Sequence, residues 1–325
     1  MVAVSSPGRE ALGRWLVPLG ALLCLLPGAS GGLALVGGCA LALLVGNPHA
    51  AVTRKLPHRM LALSVVGLGA GMDLRAVARA GLQGLGATAI SIAAALALGL
   101  LLARLLGVQG KTGLLISIGT AICGGSAIAA AVPVVRAEER EASVALGTVF
   151  LLNAAALLLF PGIGHGLGLS ESQFGLWAAL AIHDTSSVVG AAMGYGPRAL
   201  ELATTVKLAR ALWIIPLTVG LAAWTARSGE ARATGRATRP WFILGFLLAA
   251  ALVTWVPALR PAGDVVASLA RRLMVLTLFV IGVNLSPAAL RSVGVRPLVQ
   301  GLLLWLAVAS LSAAAIAMHL IGPPA

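Results

Sequence analysis

Runs of about 20 apolar residues recur along the whole chain, separated by short polar or basic segments, and each is long enough to cross a hydrocarbon core of about 30 Å. Spans near 15–30 and 32–47 form a hairpin turned at Gly31-Gly32, followed by a segment, 48–60, that carries Arg54, Lys55 and Arg59. The third span ends near Gly71, before Met72-Asp73-Leu74-Arg75. The next five are expected near 82–106, 112–135, 142–163, 174–195 and 199–225, and the last three near 240–257, 265–283 and 297–321. The pattern predicts an all-α polytopic membrane protein of about 10–11 transmembrane helices; a membrane β-barrel would alternate over short segments instead. Residues 1–14 are expected as a cytoplasmic N-terminus and 15–325 as a single transmembrane domain.

The seventh span departs from the pattern. Phe174 to Ile182 is apolar; then come His183, Asp184, Thr185, Ser186 and Ser187 before the chain turns apolar again. A charged group at a helix centre costs roughly 2.5–3.5 kcal/mol on insertion scales, so such residues line a cavity, pair, or lie in a solvated loop. A related stretch occurs sixty positions earlier: Ala121-Ile122-Cys123-Gly124-Gly125-Ser126 aligns with Ala181-Ile182-His183-Asp184-Thr185-Ser186, and Glu141 with Glu201. Both units read as an apolar half, a polar or glycine-rich break and a small-residue half. Spans 112–135 and 174–195 are therefore expected as two broken helices forming an internal repeat. Gly71-Met72-Asp73-Leu74 and Gly282-Val283-Asn284-Leu285 make a second pair, of opposite parity, as an inverted repeat requires. Spans five and seven have the same parity in this count, which leaves a direct or an inverted relation open.

A broken helix exposes unpaired N–H groups where its second half begins, and these, with the helix dipole, attract anions. Glycine lets a ligand approach the backbone, and hydroxyls add polar contacts. The candidate substrate-binding residues are thus Thr120, Cys123, Gly124, Gly125 and Ser126 at one break, and His183, Asp184, Thr185, Ser186 and Ser187 at the other. The bland alternative for the glycines is a small-residue packing face. Lys207 and Arg210, three apart on one helix face with Thr204, supply positive charge as a wall facing the second break, unless they snorkel to an interface. Asp184 is the expected counter-ion or proton carrier; His183 titrates near neutral pH when unperturbed. Asp184, His183 and Asn153 are the candidate ion-coupling residues. Asp73 and Asn284 are weaker candidates, expected to cap helices.

Composition agrees with a membrane class: 59% hydrophobic and 10% charged residues, against about 25% charged in soluble domains, with mean hydropathy +0.99. The net charge of +13 comes mostly from Arg in short loops, where cytoplasmic anchoring accounts for it without nucleic acid. That bias places the N-terminus inside. Arg9 and Arg14 before an apolar run resemble a signal peptide, but the second hydrophobic segment and basic loop favour an uncleaved first helix. Cys24, Cys39 and Cys123 lie in apolar segments, without disulfide or zinc spacing. No zincin, nucleophile-elbow, P-loop or dinucleotide motif occurs, so neither an enzyme nor a cofactor or metal site is expected.

The run GTAICGGSAIAAAVPVV, the acidic loop, IHDTSSVVGAA and VKLARALWIIP resemble, together and in order, the YeiH-type bacterial sulfate exporter family over roughly residues 30–320. The resemblance implies a fold related to the bile-acid/sodium symporter and cation/proton antiporter group, with panel and core domains and crossing broken helices, dimeric and elevator-like. It implies export of sulfate, sulfite or a related small anion; with the polar breaks and the charges at membrane depth, the expectation is a secondary transporter of such an anion in the bacterial inner membrane, coupled to H+ or Na+ through Asp184 or His183. Relatives carry a small residue and then Gln after IHDT; Ser186-Ser187 stands there instead, which bears on substrate or ion preference. A cation/proton antiporter using Asp184 and a channel-like membrane protein are the alternatives.

Overall fold

The computed structural model describes residues 7–26, 29, 31–53, 56–108, 110–227, 241–284 and 294–322. Among them every regular element is helical, and five helical stretches, one of them Pro197–Thr225 and made of two consecutive helices, are long and apolar enough to cross a membrane; the chain is an all-α polytopic membrane protein. The basic loop at 228–239, most of the segment after Asn284, and Arg54 and Lys55 lie outside the described residues.

The chain divides into two compact units. The first combines residues 1–78 and 240–290. It contains α1 (Pro7–Leu23), α2 (Gly31–Leu44), the one-turn α3 (Ala50–Thr53), α4 (Leu56–Gly69), α13 (Trp241–Trp255) and α14 (Arg260–Asn284). Residues 7–14, expected before the first span, already belong to α1, and Gly31-Gly32, expected as a turn, opens α2. Small residues let α2 and α14 touch backbone to backbone. A Cβ on Gly38 would run into the Phe279 carbonyl, and one on Gly282 into the Leu35 carbonyl. This is the close crossing that replaces hydrophobic attraction between helices in lipid. At the end of α14, the Asn284 amide oxygen accepts from Asn47 (3.0 Å) and Thr53 (2.9 Å), while its nitrogen donates to the Thr53 carbonyl (2.9 Å). Asn284 thus ties α14 to the α2–α3 connection. Asp73 does cap a helix: its carboxylate accepts from the Arg75 amide at 2.7 Å, where α5 begins.

The second unit combines 79–239 and 291–325. It holds most of α5 (Leu74–Leu105), then α6 (Thr112–Ala121), α7 (Gly125–Val135), α8 (Glu139–Gly166), α9 (Glu171–Ala181), α10 (Thr185–Tyr195), α11 (Pro197–Ala211), α12 (Ile214–Arg227) and α15 (Val295–Ala317). The eighth span, expected near 199–225, is interrupted at 212–213, between α11 and α12. Pro216 has no N–H for the Leu212 carbonyl, which instead accepts from Ile215 at 3.1 Å.

Spans 112–135 and 174–195 break at 122–124 and 182–184, but their halves do not continue across the unit. A straight helix over 112–135 would hold its ends about 36 Å apart. Instead, the ammonium of Lys111, just before α6, donates to the carbonyl of Arg136, just after α7, at 3.1 Å. The Glu141 carboxylate also accepts from the Lys111 amide at 2.6 Å and the Glu138 amide at 2.8 Å. α6 and α7 are therefore a re-entrant hairpin, entering and returning on one side. α9 and α10 repeat the device. The Tyr195 hydroxyl, at the end of α10, donates to the Leu169 carbonyl at 2.7 Å, and its ring stacks on Phe174 with centroids 3.7 Å apart. Glu171 accepts from the Arg198 amide at 2.8 Å. Between the hairpins runs α8, 28 residues and unbroken, or about 42 Å, enough to cross a bilayer. The hairpins thus enter from opposite ends of α8. The repeat is inverted, and the parity conflict vanishes because neither hairpin is a crossing.

Candidate functional site

The hairpin tips meet. A Cβ built on Gly124 would lie 3.3 Å from the Asp184 Cβ and 3.4 Å from its Cα and amide nitrogen. Gly124 has φ +65°, a backbone conformation that glycine adopts without a Cβ clash. Its lack of a side chain therefore serves both the tight turn and the approach of the second tip.

Each tip has a carbonyl end and an amide end. The final carbonyls of α6 and α9 have no helical partner, and one cation from α11 goes to each. Arg210 donates one guanidinium nitrogen to the Ala121 carbonyl (2.5 Å) and another to the Ser91 hydroxyl on α5 (2.9 Å). Lys207 donates to the carbonyls of Ile182 (2.6 Å) and Ala179 (3.3 Å). Both side chains are fully buried. A buried charge is tolerated only when paired and hydrogen-bonded, and here the partner is the negative end of a half-helix. The expected wall of cations facing the second break is thus divided between two tips.

Asp184 is not their salt-bridge partner. Among the described residues the ion pairs are Arg198–Glu201 and Arg260–Asp73, both solvent-facing. Asp184 caps α10: its carboxylate accepts from the Ser187 amide (3.2 Å), the Ser187 hydroxyl (3.1 Å) and the Ser186 hydroxyl. The polar run after His183 is thereby explained, since a carboxylate and two hydroxyls satisfy one another at a helix start. Thr185 is buried beside them, whereas Asp184, Gly125 and Ser126 are half-exposed. The amide end of α7 differs: Gly124 provides no side-chain cap.

Asn153 on α8 braces the second tip. Its amide oxygen accepts from the backbone N–H of both His183 (3.1 Å) and Asp184 (3.2 Å). Two donors on one atom fix the amide's orientation, so its nitrogen faces away from the backbone as a donor. That nitrogen is buried and has no partner, and so are Arg210 Nε, Thr120 Oγ1 and both ring nitrogens of His183. Cys123, at the first tip, is buried as well.

The structure therefore brings together Thr120, Cys123, Gly124, Gly125, Ser126, Asn153, His183–Ser187, Lys207 and Arg210. Ser91, which positions Arg210, was not anticipated; a serine within an apolar run gives no sequence signal of its own. Among the described residues no cluster of His, Cys, Asp and Glu has the makings of a metal site.

Comparison with known proteins places the chain. The family model described as "conserved hypothetical protein 698" matches residues 33–301. A UPF0324 membrane protein of Bdellovibrio bacteriovorus is 55% identical over 313 residues, covering 96% of both chains. Another, from Bacteroides thetaiotaomicron, is 45% identical over 307 residues, covering 93% of this chain and 87% of the relative. A third, from Geobacter sulfurreducens, is 47% identical over 294 residues, covering 90% and 93%. No solved structure matches the chain. With most of its length covered, including both hairpins, α8 and α11, the chain belongs to the UPF0324 family of membrane proteins.

Proposed function

We propose that the protein is a secondary transporter of a small anion, sulfate- or sulfite-like, bound where the hairpin tips meet. The observation that carries this reading is the set of unpartnered buried atoms around the tips. Arg210 Nε and Asn153 Nδ2 can only donate; Thr120 and His183 can donate or accept. A ligand that satisfies this set is an acceptor, as an oxyanion is and a metal cation is not. The uncapped amide end of α7 adds further donors and a favourable dipole. Two buried cations against one carboxylate leave the surroundings net positive.

In this reading the protein is a non-enzymatic carrier, multi-pass in a bacterial inner membrane, working as a homodimer with an elevator-like motion. The N-terminus is cytoplasmic. Treating both hairpins as non-crossing puts Arg104, Lys111, Arg136 and Arg140 on the same side, the one that the positive-inside rule assigns to the cytoplasm. Coupling to H+ or Na+ runs through Asp184 and His183, which sit at the meeting point.

The test is binding and flux with purified protein in proteoliposomes. Sulfate or sulfite raises the melting temperature of the wild type, and Arg210→Ala abolishes the rise while still eluting as a folded species. Sulfate binding by Arg210→Ala equal to wild type would overturn the reading. Flux indifferent to both pH and Na+ gradients would remove the coupling. One observation favours a cation/proton antiporter: the half-exposed Asp184 carboxylate. Li+- or Na+-driven proton movement without anion dependence would establish that alternative.

A further inference from the structure

A second site lies in the first unit, and none of its residues belongs to the hairpins. That unit carries an open-sided cavity of about 290 Å³ between α1, α3, α4 and α14, close to the lower limit of roughly 300 Å³ for small-molecule pockets. Its walls include Val17, Val52, Leu56, Leu276, Phe279 and Val283. Its polar side chains are His49 and Thr53, and both are engaged. Thr53 donates to Asn284 at 2.9 Å, and the His49 ring meets the Arg14 carbonyl at 3.2 Å. The interior therefore offers mainly apolar contact.

The residues adjoining these walls have the opposite character. Arg14, bonded through its carbonyl to His49, and Arg59, next in sequence to the lining residue Met60, are both exposed. The sequence contains no Asp or Glu between Ala11 and Met72 to offset them. A purely apolar guest needs no such neighbouring charge. A second protein copy would need a broad face, not a narrow recess. An apolar tail joined to an anionic head satisfies both parts, and the surrounding bilayer supplies such molecules. Basic pockets between membrane helices hold anionic headgroups in this way.

We propose that this cavity takes an acyl chain of an anionic phospholipid, with the headgroup phosphate against Arg14 and Arg59. The site is independent of the transport reading, since none of its residues belongs to the hairpins.

The experiment uses full-length protein, delipidated in detergent, titrated with phosphatidylglycerol, phosphatidylcholine or inorganic phosphate and read by native mass spectrometry and thermal shift. Phosphatidylglycerol is expected to bind and stabilise, phosphatidylcholine to bind more weakly, and inorganic phosphate to do nothing. Replacing both Arg14 and Arg59 by Gln should weaken phosphatidylglycerol about 25-fold, or about fivefold per cation. Val52→Trp, at a position 61% exposed and so compatible with folding, should block the cavity and abolish retention. Equal binding of the two lipids, or no change in the double Arg variant, would overturn the headgroup assignment. Undiminished retention by Val52→Trp, or phosphate alone stabilising as well as the lipid, would overturn the cavity.

Discussion

Asn153→Asp is the sharpest test of which charge the hairpin tips recognise. The substitution keeps shape and volume, and it keeps an oxygen to accept from the His183 and Asp184 amides at 3.1 and 3.2 Å. The brace on the second tip survives. What changes is the other atom of the side chain, now the unpartnered donor Nδ2, which becomes a carboxylate oxygen. An anionic ligand loses one hydrogen bond to a charged acceptor, worth about 1.5–3 kcal/mol, or about 10- to 150-fold in affinity. It gains a like charge as well. In acidic buffer the new carboxyl is protonated and can donate again, so binding should return as pH falls, a reversal that the wild-type amide cannot produce. The assay is sulfate titration by calorimetry in alkaline and acidic buffers, with elution volume and melting temperature as fold controls. Wild-type sulfate affinity for the variant in alkaline buffer would refute the donor argument. Tighter Na+ or Li+ binding there would favour the cation reading.

Three further outcomes follow from the geometry. Lys207→Met removes the donor to the Ile182 and Ala179 carbonyls; at roughly 1–3 kcal/mol per buried group left unsatisfied, thermal or urea unfolding should show a clear loss of stability. Gly124→Ala meets both a positive φ of +65° and the Asp184 Cβ at 3.3 Å; the backbone term alone costs roughly 1–2 kcal/mol, so flux should fall more than expression, and a variant with wild-type flux would mean that the tips separate freely. In a cysteine-free background, single cysteines at the exposed positions Arg104 and Arg140 should react with an impermeant maleimide from one membrane face, and those at Gly166 and Gly194, where an added side chain meets open space, from the other. Labelling of Arg104 and Arg140 from opposite faces would show the first hairpin to be a crossing helix.

The positions of the breaks were legible because polarity and glycine interrupt apolar runs at matching places, Cys123-Gly124 and His183-Asp184. The direction of the chain after each break was not. Helical periodicity looks the same whether the second half continues or turns back, and a two-residue interruption permits either. The information sits instead in contacts between the bases of the hairpins: Glu141 with Lys111, Glu171 with Arg198, and Tyr195 with Leu169 and Phe174. Each residue alone reads as an ordinary loop or helix-end group. The cations show a similar division. Their common face on α11 followed from a spacing of three, but their separate partners did not, because a buried ammonium or guanidinium beside two helix ends can turn to carboxylate or to carbonyl. Asp184 had already been satisfied by its own neighbours, Ser186 and Ser187, so the carbonyls were left for Lys207 and Arg210. The interruption after α11 traces to Pro216, which the apolar pattern alone passes over.

The sharing of one helix by both tips has a mechanical consequence. Lys207 and Arg210 lie about 4.5 Å apart along the axis of α11, one holding each hairpin. An axial slide or rotation of α11 strains both attachments together, so the two tips are geared through a single shaft. A displacement of α11 would therefore reach both tips at once, without a signal passing through the hairpins themselves.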